Sequence, residues 1–318
     1  MHGAVPMKQS RRLEFVRGAP LPTRDGVAPS RVYLPPGPWS LLREFLFERF
    51  PHIPRDVLLE RLARGDIVDE AGVAQTSESK YQALGWLWYY REVPEEVRLP
   101  SGLPVLFRDD YLVVVDKPHF LASIPGGRYL KETALVRLRQ SLNLPELSPI
   151  HRLDRDTAGV LVFCAHPASR GAYQTLFQTR AVHKEYEALA GVRADLAFPL
   201  VHRSRMEQRT GHFTMLEVPG EPNSETRIEL IEADNEVGRY RLHPHTGRKH
   251  QLRVHMSALG LPIQNDGFYP VLLPYAQGDD FSRPLQLLAR SIEFTDPVSG
   301  QPRRFESQRS LSACRPDA

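Results

Sequence analysis

The chain has 318 residues, 41% hydrophobic and 25% charged, which is the composition of a folded protein with one large and one smaller domain. A core of that size needs no disulfide or metal staple. The net charge of +3 is too small to establish nucleic-acid binding by itself, and no stretch is apolar enough for a membrane span or secretory leader, so a soluble, cytoplasmic protein is expected.

Residues 1–30 mix Pro, Gly and Arg without apolar periodicity, and Lys8, Arg11, Arg12, Arg17 and Arg24 make them a basic arm expected to be disordered. Residues 31–98 read as a small α+β module. Ser40 is placed to cap a helix through residues 41–46, and Pro54 opens a second, with Val57, Leu58, Leu59, Leu62 and Ala63 at helical spacing and Gly65 as its stop. A short strand follows at 66–69, turned by 70–72 into a return strand, and 87–90 forms another. Residues 94–104, rich in Pro and Gly, read as a linker.

From 99 to 306 strand-like and helix-like runs intermix. Strands are expected at 111–115, 160–163, 227–231, 239–242 and 292–294, and helices at 168–177 and 251–259. The strands do not alternate strictly with helices, which favours an α+β domain with a mixed or antiparallel sheet. Residues 307–318 read as a tail. Of the two cysteines, Cys164 follows an apolar run and reads as a buried structural thiol, while Cys314 lies in the polar tail; two cysteines without a framework point to a reducing compartment.

Between Val237 and Asn265 there is no Asp or Glu, yet Arg239, Arg241, Arg248, Lys249 and Arg253 fall inside, with His243, His245, His250 and His255. Such a field suits a polyanion. It is equally a basic face whose acidic partners come from elsewhere in the fold. His243, His245 and His250 have the spacing of zinc ligands, but the arginines repel a dication and no Asp, Glu or Cys of the stretch completes a shell, so no metal is expected. No glycine-rich phosphate cradle with a lysine is present, so nucleotide hydrolysis is not indicated and no cofactor is expected.

The segment His151-Arg152-Leu153-Asp154-Arg155-Asp156-Thr157-Ala158-Gly159 sets two carboxylates between two arginines just before a buried strand. A carboxylate among cations stays ionised, which suits a nucleophile better than a general acid. On composition alone this is a salt-bridged turn. Its spelling, His-Arg-Leu-Asp-x-x-Thr-x-Gly, resembles the catalytic signature of the RluA family of RNA pseudouridine synthases. That resemblance makes Asp154 the nucleophile and gives Arg152 a part in holding the RNA where the target base leaves the stack.

Further segments match in order. Val114-Val115-Asp116-Lys117-Pro118 resembles the family's Asp-Lys-Pro strand, with Ser123-Ile124-Pro125-Gly126 after it and Phe120 in place of a usual glycine. Lys184-Glu185-Tyr186-Glu187-Ala188 resembles its Lys-x-Tyr-x-Ala strand, which implies that Tyr186 packs on the flipped base and moves a proton. Gly247-Arg248-Lys249-His250-Gln251-Leu252-Arg253-Val254-His255 resembles its Gly-Arg-x-His-Gln-x-Arg-x-His motif, which implies that Arg253 pairs with Asp154. Asp266 and Tyr269 continue the match, with Asn265 where glycine is common. Ala158 and Lys249 replace a usual Ser and a usual Thr or Ser, and Leu287-Leu288-Ala289 departs from a Leu-His-Ala ending.

The resemblance implies an isomerase that acts on ribosomal or transfer RNA without a cofactor, with Arg152, Arg155, Arg248, Lys249 and His250 contacting RNA. A monomer is expected. Two alternatives stay open at the level of sequence, a uracil N-glycosidase using the same aspartate and a non-catalytic RNA-binding assembly factor. The N-terminal module loosely resembles the small RNA-binding domain of a small-subunit ribosomal protein, although Asp56 and Glu60 dilute the cations Arg55, Arg61 and Arg64 on its second helix.

Overall fold

The computed structural model describes residues 19–92, 96–208, 211–273 and 280–312. Lys8, Arg11, Arg12, Arg17, Pro94 and Cys314, and with them most of the basic arm and half of the expected tail, lie outside the described residues. The chain divides into two compact units, Met1–Glu92 and Val93–Ala318.

The first unit contains β1 (Ser30–Tyr33), α1 (Leu42–Arg49), α2 (Arg55–Ala63), β2 (Ile67–Val68) and β3 (Trp86–Tyr89). Its antiparallel sheet has the order β1-β3-β2 and packs Val32, Ile67 and Leu87 on Leu42, Phe45, Leu46, Leu58 and Leu62 of the helices. Ser40 is not the cap of α1. Leu41 occupies that position, and the Glu44 carboxylate reaches back to accept the N–H groups of Ser40 (2.8 Å) and Leu41 (3.1 Å). The expected return strand after residues 70–72 is a single bridge, Val68 to Ala74, because Asp69 closes a tight turn by accepting the N–H groups of Ala71 and Val73. The cations of α2 are engaged within this unit. Arg61 pairs with Glu92, Arg64 with Glu60, Asp66 and Glu92, and Arg55 sits over the Phe47 ring.

The second unit contains β4 (Val105–Arg108), β5 (Leu112–Lys117), α3 (Ala134–Leu142), β6 (Ser148–Pro149), β7 (Ala158–Cys164), α4 (Arg170–Gln178), β8 (Val182–Ala190), β9 (Leu200–Gln208), β10 (Met215–Val218), β11 (Ser224–Ala233), β12 (Gly238–Pro244), α5 (Gln251–Ala258), β13 (Leu287–Thr295) and β14 (Pro302–Glu306). Its strands form one mixed sheet of order β10-β9-β11-β12-β8-β13-β7-β5-β4, with β14 beside β13 and β6 beside β7. β13 and β7 run parallel; the other pairings among the described strands are antiparallel. β5 and β7 are buried on both faces, which explains their apolar runs Leu112–Val115 and Val160–Phe163 rather than an alternating pattern. Cys164, wholly buried, donates to the His166 carbonyl and is a structural thiol.

Two sequence expectations shift here. Leu99 packs into the core of this unit and Glu96 accepts three N–H groups from residues 130–132, so residues before position 99 already belong to it. The start of the expected tail is also part of the fold: the buried Asp116 accepts from Ser307 Oγ and the Gln308 N–H, and Leu311 covers Ala158, Leu189 and Leu288. Among the described residues no helix is long and apolar enough to cross a membrane.

Candidate active site

The loop that carries Asp154 is pinned by side chains at the end of β5. The ammonium of Lys117 is fully buried and donates to the carbonyls of Pro118 (3.0 Å), Leu121 (2.8 Å) and Arg155 (3.1 Å). Burial pushes Lys117 down to about 7, opposed by the nearby charges of Asp156 and Asp154. Three carbonyls suit the protonated amine, which alone has three donors. His119 Nδ1 donates to the Asp156 carbonyl at 2.7 Å. Ser123 donates to the Leu153 carbonyl at 2.7 Å and accepts the Leu153 N–H at 3.0 Å. Residues 153, 155 and 156 are therefore fixed through their backbone, and the Asp154 side chain is left 30% exposed.

The loop closes as a turn, with the Thr157 N–H donating to the Asp154 carbonyl, so the two carboxylates find different partners. Asp156 takes Arg155 Nη1 at 2.9 Å. Asp154 Oδ2 faces Arg253 Nη1 at 3.6 Å and His250 Nε2 at 4.0 Å. His151 is a structural peg. Its Nε2 accepts the Val162 N–H at 3.1 Å, its ring stacks on Phe177, and burial pushes the imidazole down to about 3, which keeps it a neutral acceptor.

After the turn the chain enters β7 through Gly159, whose φ is +111° and where a Cβ would stand 2.2 Å from the Ala289 carbonyl oxygen. Only glycine permits β7 and β13 to approach this closely. Ala158, where the family usually has Ser, is fully buried beside Leu288 and Leu311. Tyr186 pairs with Ala289 from the other side of β13, so Tyr186 and Gly159 flank the same residue of the sheet. The Tyr186 ring packs between the two large cores, and its hydroxyl makes no hydrogen bond to a described residue. Burial, reinforced by the Asp154 charge, pushes this phenol well above the usual tyrosine range, so it stays protonated at neutral pH.

Arg253 is brought in by α5. Its Nε and Nη2 bind Asp266 at 2.8 and 2.5 Å, and its guanidinium lies 4.4 Å from the Phe268 ring centre. Burial opposes the charge on Arg253, but the Asp266 carboxylate outweighs it, so the guanidinium stays cationic. Asp266 also accepts the N–H groups of Phe268 and Tyr269. Gln251 ties down the preceding loop, accepting from Thr246 Oγ1 and the Arg248 N–H while donating to the Glu225 carbonyl.

The acid-free stretch resolves into two groups. Arg239 pairs with Glu187 and Glu232, Arg241 with Glu185 and Glu229, and Arg253 with Asp266, all acids from outside the stretch. Arg248 and Lys249 instead donate to backbone carbonyls, of Asn223 and Phe213, and remain exposed. Arg152 is exposed without an ion pair among the described residues. Arg155 is half-buried, packed over the rings of Tyr129 and Phe120. His250 is not the exposed cation its place among arginines suggests: it is 8% exposed, and burial pushes it down to about 4.

The histidines of the expected zinc spacing have separate partners, His243 facing Glu229 and His250 bonded to Tyr269. A different trio, His202, Glu217 and His255, does cluster. Both nitrogens of His255 are occupied by the hydroxyls of Ser224, Ser204 and Thr226, so a cation would have to break that network. Asp266, Tyr269, Lys117, His119 and Ser123 support the site and were not assigned a part in its chemistry from sequence. Motif matches marked four of them, Lys117 and Ser123 in the Asp-Lys-Pro segment and its continuation and Asp266 and Tyr269 by their Asp-x-x-Tyr spacing, while His119 carried no signal.

The model of the RNA pseudouridylate synthase family matches residues 111–258, a span that contains Asp154, Tyr186 and Arg253. The chain is 36% identical over 209 residues to the dual-specificity RNA pseudouridine synthase RluA of Vibrio vulnificus, covering 61% of this chain and 78% of that one. To the RluA of Escherichia coli K12 it is 34% identical over 215 residues, covering 64% and 92%. The human protein RNA pseudouridylate synthase domain containing 4 superposes with a TM-score of 0.51 at 25% identity, over 65% of this chain and 88% of that one. The human domain containing 1 protein shares the fold, with a TM-score of 0.53 at 24% identity over 68% and 86%. The chain belongs to the RNA pseudouridine synthase family, isomerases that convert uridine in RNA to pseudouridine. Within that family it is of the RluA type.

Proposed function

We propose that Asp154 is the nucleophile of this isomerase, that Arg253 orients it and that Tyr186 both stacks on the extruded base and moves a proton at C5. The observation that carries this reading is the Asp154 side chain, held on an immobilised backbone, partly exposed, with Arg253 Nη1 3.6 Å from its Oδ2. The reaction breaks the glycosidic C–N bond and makes a C–C bond within the same nucleotide, so it is redox-neutral. The uridine must leave its stack, which costs a few kcal/mol. Stacking on Tyr186, worth about 1–3 kcal/mol, and phosphate contacts from Arg152, Arg248 and Lys249 offset this. The carboxylate then acts at ribose C1′, at a ribose proton, or at uracil C6. In each case the Arg253 guanidinium holds the carboxylate through Oδ2 while the base is detached. Because Tyr186 stays protonated, it serves as a hydroxyl that gives and regains a proton, directly or through water.

We infer from the dual-specificity relatives that two RNA classes are the substrates, and from the motif resemblance that these are ribosomal and transfer RNA. Asp154→Asn should abolish pseudouridine formation while leaving the fold and RNA affinity intact, and normal yield from that variant would end the assignment. Mapping pseudouridines in total RNA from a deletion strain should show sites lost from both RNA classes. Free uracil with an abasic ribose, in place of pseudouridine, would mark an N-glycosidase instead.

A further inference from the structure

We infer that His250 is a positioning residue: its neutral ring donates from Nε2 to Oδ2 of Asp154, so that Oδ1 is the oxygen that reacts. The inference rests on the reading of Asp154 as nucleophile and adds which of its oxygens does the work.

The proton on His250 can be placed from its neighbours. Tyr269 Oη accepts the Met215 N–H at 2.8 Å and lies 2.8 Å from His250 Nδ1. Nδ1 is the one acceptor among the described residues within reach of the Tyr269 hydroxyl hydrogen, which makes Nδ1 the acceptor and leaves the ring hydrogen on Nε2. Nε2 is the atom that faces Asp154 Oδ2, at 4.0 Å. The ring cannot swing away. Phe268, Tyr269 and Phe213 surround it at 5.5, 5.7 and 6.4 Å between centres, and a left-handed backbone (φ 56°) sets its direction at the start of α5.

A second donor converges on the same oxygen. Arg253 Nη1 is buried, makes no hydrogen bond and stands 3.6 Å from Oδ2. Both separations exceed a hydrogen bond by roughly 1 Å or less, the looseness common in catalytic sites before substrate tightens them. No described residue donates to Oδ1. Two donors on one carboxylate oxygen fix the rotation of the carboxylate and leave the other oxygen to face the nucleotide. Burial keeps the imidazole neutral, so His250 adds a hydrogen bond without adding a charge that would blunt the nucleophile.

The test compares two substitutions in a single-turnover pseudouridylation assay. In His250→Asn the short amide still reaches Tyr269, and asparagine tolerates the left-handed backbone, but its donor falls short of Asp154. In His250→Gln an N–H group is retained near the Nε2 position. His250→Asn should lower the single-turnover rate about 10- to 100-fold with RNA affinity and its salt dependence unchanged, and His250→Gln should recover a good part of the rate. Equal losses in the two variants, or weaker RNA binding at unchanged rate, overturn the proposal, the latter making His250 an RNA contact. Asp154→Asn is assayed alongside: if it is active, the nucleophile reading fails; if it is inactive while His250→Asn turns over normally, only the part given to His250 fails.

Discussion

Arg253 spends two of its three guanidinium nitrogens on Asp266, at 2.8 and 2.5 Å, and keeps Nη1 for Asp154. Both members of the inner pair are 1% exposed. Removing one partner of a buried ion pair strands the other charge, at a cost of about 3–5 kcal/mol. Asp266→Ala should therefore lower unfolding stability in denaturant titrations by that amount, and turnover should fall even when the protein is kept folded. A variant of unchanged stability and rate would mean that Arg253 does not depend on this carboxylate.

Arg152 and Arg155 flank the proposed nucleophile but differ in what they touch. Arg152 is exposed, whereas Arg155 is engaged by Asp156 and two aromatic rings. Arg152→Ala should raise the Kd for RNA and reduce the slope of log K against log salt by about 1. Arg155→Ala should act more mildly on binding and more on the integrity of the loop. Equal effects on RNA affinity would remove the distinction.

Tyr186→Phe separates stacking from proton movement. The ring remains to pack on the base, so RNA affinity should hold, while a lost proton carrier should lower kcat by roughly 10²- to 10⁴-fold. Because burial raises the phenol, the wild-type rate should show no loss on approaching the ordinary tyrosine range from below. Unchanged turnover in the phenylalanine variant would leave Tyr186 a stacking platform only.

Acid should destabilise the fold through its buried histidines. His151, His250 and His255 are pushed down by burial to about 3, 4 and 3. The unfolded chain takes up their protons below about 6.5 while the native one does not, so stability is full above that pH and falls as the pH drops toward 4. Each histidine contributes a slope of up to about 1.4 kcal/mol per pH unit. His151→Gln, whose Oε1 can accept the Val162 N–H in place of Nε2, should reduce the slope measured by urea unfolding between pH 6 and 5. An identical slope would show that His151 titrates alike in both states.

What was legible in the sequence followed from short-range signals. The β-branched run of β5, the apolar run of β7 and the spacing of α5 each announce themselves, and the motif residues Asp154, Tyr186 and Arg253 do meet in space. α3 was missed although Thr133 caps it and Ala134, Leu135 and Leu138 line its buried face. β9 was missed for a better reason. Leu-Val-His-Arg-Ser-Arg-Met-Glu-Gln is strand only because β10 and β11 pair with it on either side. The same holds for the supports of the site. Lys117 meets the Arg155 carbonyl 38 residues away, and no local spacing reveals that contact.

Phe120 and Asn265 stand where the family usually carries glycine, and both have left-handed backbones, at φ 65° and 61°. Glycine alone adopts such a bend without steric cost. At Phe120 the cost, of order 1–3 kcal/mol, comes with a ring lying under Arg155 and against Phe281. Through its side chain that bend ties Arg155 to Phe281, so a change aimed at either will be felt in the other.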